Sequence, residues 1–218
     1  MIYTNNRKLC LSGWLKNHSL NSYNTSLKLQ KFLFLYEAFS KVYNKEHDFA
    51  YLKGYHNGPV FSNVYGDYTY RNSDFEKEID KAYNSHPEYI ITDFATKADF
   101  IVKILNTNEL SELTHKMNIW KSKEKQIISN EKNVSLNEED FNENDFNIIK
   151  ALYNAYSEDE IKNTKIIDVG KNHFLISNSD IERLKEEHLD ALYVLSTTKD
   201  LKNPVYISIN TDGGLEVD

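Results

Sequence analysis

Leu27-Lys28-Leu29-Gln30-Lys31-Phe32-Leu33-Phe34-Leu35-Tyr36 is the stretch on which the fold turns. Leu29, Phe32, Leu33, Tyr36, Phe39 and Tyr43 recur at the spacing of one helix face. Leu27, Phe34 and Leu35 make other sides apolar as well, so the pattern predicts a helix buried on several sides and central to its domain. Thr25 or Ser26 stands where a side-chain oxygen would cap its first turn. A second landmark, Gly54-Tyr55-His56-Asn57-Gly58-Pro59-Val60-Phe61, reads as a loop closing into a helix. Pro59 would sit in the first turn of that helix, where its missing N–H is no loss.

Outward from this centre, residues 5–18 read as a helix with Leu11, Trp14 and Leu15 on one face, and 49–55 as a short extended segment. A helix is predicted over 75–83. Thr96 and Asp99 have the spacing of a capping box for a helix carrying Phe100, Ile101, Ile104 and Leu105. Asn108 is placed to cap the next helix, with Leu110, Leu113 and Met117 facing inward, and Trp120 to open a further helical stretch. Residues 129–145 are polar and acidic and mark the expected boundary between two regions. A helix with Phe146, Ile149, Leu152, Tyr153 and Tyr156 follows, and Ser157 with Glu160 forms another capping box.

The periodicity then changes. Residues 166–170 and 173–176 read as strands, Ser179 and Glu182 as the start of a helix, and Val205-Tyr206-Ile207-Ser208-Ile209 as a half-buried strand. Thr211-Asp212-Gly213-Gly214 signals a hairpin turn before Leu215-Glu216-Val217. The expected architecture is mainly α: a helical domain over 1–135, then a region over 136–218 made of a helix and a small α+β appendage.

Composition agrees. Among 218 residues there are 15 Tyr and 11 Phe but only 3 Pro and 7 Gly, which excludes a disordered chain and favours helices on short loops. The single Cys, Cys10, has no CxxC partner and reads as a small buried hydrophobe. No basic segment with an apolar run begins the chain, and no stretch is long and apolar enough to span a bilayer, so the expectation is a cytoplasmic protein with no membrane contact. The net charge of −7 disfavours nucleic-acid binding, which draws its affinity from Lys and Arg on phosphates. The Lys116–Lys125 stretch, the one hint in that direction, reads as a solvated helix face.

Candidate chemistry is sparse. The 7 His are scattered without metal-ligand spacing, and there is no phosphate loop, dinucleotide fingerprint or nucleophile elbow. The expectation is no enzyme, no metal and no cofactor. Lys28 and Lys31 stand three apart on the apolar helix, either covering it with their stems or presenting a ridge to a partner.

The ordered set Lys28-Leu29-Gln30-Lys31-Phe32-Leu33-Phe34, Gly58-Pro59-Val60, Val64-Tyr65, Leu113-Thr114-His115 and Trp120 resembles the signature of the Panacea antitoxin domain. That family occurs in bacterial toxin–antitoxin modules and in phage-associated GepA-like proteins. The likeness spans about residues 5–128. It departs at Phe34, where the family carries Tyr, and at Ile119, where a Pro usually precedes the Trp; residues 157–218 have no counterpart. The resemblance implies a protein that neutralises a cognate toxin by direct contact, or an adaptor that delivers its client to an ATP-dependent protease, and it leaves self-association open. The partner-binding residues it implies are Lys28, Lys31, His56, Asn57, Gly58, Pro59, Tyr65, His115 and Trp120. It also suggests one cluster of His115 and Trp120 with the Gly58-Pro59 loop.

Overall fold

The first helices are α1 (Asn6–His18), α2 (Leu20–Asn24) and α3 (Ser26–Val42) in this computed structural model, which describes residues 1–198 and 201–218. Every residue of α3 from Leu29 to Ser40 is buried, as its all-round apolar pattern predicts. Its N-cap differs from expectation: Thr25 occupies the position, but its hydroxyl turns back to the Asn21 carbonyl, 3.1 Å away, and leaves the first turn uncapped. The short α2 fills the polar stretch between α1 and α3.

A hairpin follows. β1 (Leu52–Tyr55) pairs antiparallel with β2 (Gly58–Phe61), Tyr55 opposite Gly58 and Gly54 opposite Pro59. Pro59 therefore lies in a strand, and α4 (Ser62–Tyr70) starts only at Ser62. The reason is position: the far edge of β1 is taken by residues 134–136, through Gly54 N to Val134 O at 2.9 Å and Leu136 N to Leu52 O at 3.1 Å, which leaves β2 as the edge strand where Pro is tolerated.

Next come α5 (Asn72–Ser85) and α6 (Thr92–Ile104). The Thr96–Asp99 capping box is not formed, because α6 begins five residues earlier than that spacing implied, with Ile91 at the N-cap. The Tyr36 hydroxyl accepts the Ile91 N–H at 2.8 Å and donates to the Tyr89 carbonyl, so a contact from α3 fixes where the helix starts. Asp99 is instead buried and accepts from Lys103. α7 (Thr107–His115) is capped by Asn106 with Glu109, two residues before the expected Asn108. Trp120 lies inside α8 (Asn118–Lys121), whose first N–H groups, of Asn118 and Ile119, donate to the Asp145 carboxylate; α9 (Glu124–Ile128) closes this part.

The polar tract does not separate two cores. Val134, Leu136 and Phe141 are buried with the α3 side chains, and Ile149 of α10 (Glu143–Asn154) belongs to the same cluster. The boundary expected at 135/136 thus falls inside the first core, which extends through α10. A few apolar side chains among many polar ones were enough to hold the tract down.

The remainder matches the expected α+β pattern. α11 (Glu158–Asn163) carries the Ser157–Glu160 capping box, and β3 (Thr164–Val169), β4 (Asn172–Ser177), β5 (Val205–Ile209) and β6 (Leu215–Val217) form one sheet in that order, with β4 and β5 parallel. Ser177, not Ser179, caps α12 (Asn178–Ile181), and the chain breaks again before α13 (Glu186–Ser196). β4 is buried on both faces: Phe174 and Ile176 meet Leu192 of α13, while Leu175 packs with Phe100 and Ile104 of α6. Among the described residues the molecule is mainly helical with two small sheets, and no helix is long and apolar enough to cross a membrane.

Candidate functional site

The family-like segments meet around Lys31. Its Nζ donates to Thr114 Oγ1 of α7 at 3.0 Å, and that hydroxyl in turn donates to the Ser111 or Leu110 carbonyl. Gly58 lies directly over this pair. Its φ is +103°, and a Cβ built there would stand 2.1 Å from Lys31 Nζ and 2.4 Å from Thr114 Oγ1. Beside Lys31, Gln30 Oε1 accepts the Phe61 N–H at 2.8 Å, satisfying a donor on the open edge of β2. Trp120 Nε1 donates to the Tyr55 carbonyl at 3.0 Å and ties α8 to the hairpin, and the His115 ring stacks on Trp120 with centroids 3.9 Å apart. One cluster therefore joins His115, Trp120 and the Gly58-Pro59 segment.

Burial divides the expected contact residues. Lys31 is 1% exposed and Trp120 2%, and Gly58 and Pro59 are buried too. These four build the interior, and of them Lys31 and Pro59 also line a pocket. For Lys31 the signal was in the sequence: Leu27 and Leu35 lie four residues to either side, so it shares an apolar stripe. His56 and Asn57 are exposed at the hairpin turn, and Tyr65 and His115 are half-buried. Tyr55, His56, Asn57, Tyr65, Pro59 and Val60 border a pocket of about 340 Å³ that also touches Gln30 and Lys31. Lys28 points elsewhere, into a larger cleft of about 600 Å³ shared with Lys103, Lys165 and Asp168 at the C-terminal unit. Burial pulls the Lys28 ammonium below its ordinary range, against the opposing pull of Asp168, Asp99 and Glu109.

Burial pushes Lys31 from the usual 10.5 down to about 7, with no carboxylate among the described residues to offset it. Burial, then the Lys31 charge, also lowers His115. The sign for stability follows directly. The unfolded chain keeps Lys31 protonated between pH 7 and 10.5 while the folded chain releases the proton, so stability rises with pH across that window. Lys31→Met removes the buried amine. We expect it to raise stability at pH 7 by about 1–3 kcal/mol and to flatten this rise, read by urea unfolding at several pH values. An unchanged pH slope would show that Lys31 stays charged in the fold. His115 adds a smaller loss on further acidification.

Gln30 and Thr114 were not singled out by chemistry in the sequence; both matter only because distant elements bring acceptors and donors to them. Among the described residues no group of three or more His, Cys, Asp or Glu side chains could hold a metal ion. Cys10 is buried, with its thiol donating to the His86 carbonyl at 3.1 Å, and burial pushes it up to about 11. Comparison with family models, with curated proteins and with solved structures finds no match.

Proposed function

We propose that this chain is a binding protein of antitoxin type, which neutralises a toxin encoded beside it by direct contact and has no catalysis of its own. The observation behind this reading is the convergence of motif segments from α3, the β1–β2 hairpin, α7 and α8 on one cluster, whose outer rim is the His56-Asn57 turn with Tyr55 and Tyr65. A buried polar centre under an aromatic rim holds a recognition surface in one shape, which lowers the ordering cost of docking. The test is co-expression with the product of the adjacent gene. Growth arrest by that product alone, relieved by this chain and restored by charge substitutions at Tyr65 and Asn57, is the expected result. A harmless neighbour, or one still toxic in the presence of this chain, removes the reading.

Delivery of the client to a protease is favoured by a separate feature. Leu189, Tyr193 and Val194 leave an exposed apolar strip on α13, away from the first core. In that version α13 docks the protease, and the half-life of the client shortens when this chain is present. An unchanged half-life leaves masking alone.

A further inference from the structure

Two residues that line the pocket beside the hairpin carry buried donors short of acceptors. Gln30 is 2% exposed, and its orientation is fixed because Oε1 takes the Phe61 N–H. Its Nε2 is buried and has no hydrogen-bond partner among the described residues. Lys31 has one acceptor, Thr114 Oγ1, for the three hydrogens of its charged form. Both residues border the pocket, together with apolar Leu27, Pro59 and Val60, aromatic Tyr55 and Tyr65, and polar Ser26, His56 and Asn57. Among the described residues no Asp or Glu lines it, although the chain as a whole carries a net charge of −7. Buried donors without acceptors are rare in folded proteins, and a binding site is one of the few places that retains them.

We infer that this pocket takes an acidic side chain, flanked by an apolar residue, from a partner protein. A carboxylate is an acceptor only, so it serves Gln30 Nε2 without adding a new unpaired donor. Its charge also favours the protonated form of the buried Lys31 and gives it the counter-ion that no described residue supplies. A peptide carbonyl would satisfy Gln30 but leave that charge alone, and a cation would meet Lys31 with like sign. The aromatic and Pro walls fit the apolar neighbour of the acid. The inference rests on the binding-protein reading only for the source of the acid; the pocket chemistry stands without it.

The test needs no toxin. The full chain, labelled with ¹⁵N, is titrated with phenylpropionate and separately with its neutral amide, phenylpropionamide. The acid is expected to shift the Gln30 side-chain amide and the Phe61 backbone amide, and to bind about tenfold more tightly than the amide, the step expected between a charge-assisted and a neutral hydrogen bond. Gln30→Glu, which places a carboxylate in the pocket, should abolish binding of the acid, and Lys31→Met should erase the preference. Equal binding of acid and amide, or no shift at Gln30 up to the solubility limit, overturns the inference on the unaltered chain alone, whatever the variants do. A chain that binds the acid but fails to relieve toxicity keeps the pocket and loses the antitoxin role. One that relieves toxicity without binding the acid does the reverse.

Discussion

Glu37→Gln is expected to lower stability by about 3–5 kcal/mol, because it leaves two buried cations short of their anion. Glu37 is fully buried near the middle of α3. Its carboxylate accepts from Arg7 Nε at 2.9 Å, from Lys8 Nζ at 2.6 Å and from the Asp48 N–H at 3.0 Å. Arg7 and Lys8 are themselves closed off from water, and their other acceptors include the Glu46 and Asp48 carbonyls and the Ser40 hydroxyl. The Asp48 carboxylate, 3.4 Å from Lys8, is the remaining negative charge nearby. A neutral amide keeps the shape but supplies neither the charge nor both acceptor oxygens. For a chain of this size the loss corresponds to a fall in melting temperature of roughly 6–20 °C. Calorimetry or urea unfolding of the variant reads it. A loss below about 1 kcal/mol would mean that Arg7 and Lys8 escape to solvent when the anion goes, and that the cluster orients α1 without stabilising it.

Gly58→Ala should destabilise by about 2–5 kcal/mol through two additive causes. The backbone at φ +103° is one that side-chain-bearing residues rarely adopt. The added methyl also collides with Lys31 Nζ and Thr114 Oγ1. The amine can shift only by giving up its Thr114 acceptor inside the core, and the Thr114 side chain is short and stiff. The causes separate in a double-mutant cycle. In the Lys31→Met background the clash with the amine is gone and the backbone strain remains, so the same Gly58→Ala change should be milder. An equal cost in both backgrounds would assign the whole effect to the backbone and to Thr114.

These two positions show where local pattern and tertiary context part company. The central helix was legible because its apolar residues repeat at helical spacing on nearly every side, and β5 because alternation is a local signal. Helix starts were less legible. The start of α6 depends on the Tyr36 hydroxyl, and the start of α8 on Asp145, each supplied by an element distant in sequence. The Thr96–Asp99 spacing was a valid local signal that a tertiary bond overrode. Pro59 was placed in a helix because its own preferences suit a first turn; the unpaired edge of β2 suits it equally, and only the pairing of β1 with residues 134–136 decides between them.

By itself the sequence determined a mainly helical protein, a buried α3 at its centre, a sheet-bearing C-terminal part and the ordered motif set. These rest on periodicity and composition, which are properties of neighbouring residues. The tertiary structure alone decided that Lys28 and Lys31, three residues apart on one helix, lead separate lives, one at a cleft and one under Gly58. Periodicity reports which way a side chain leaves its helix, whereas burial, the acceptor it finds and the charge it keeps depend on what the rest of the chain brings to meet it.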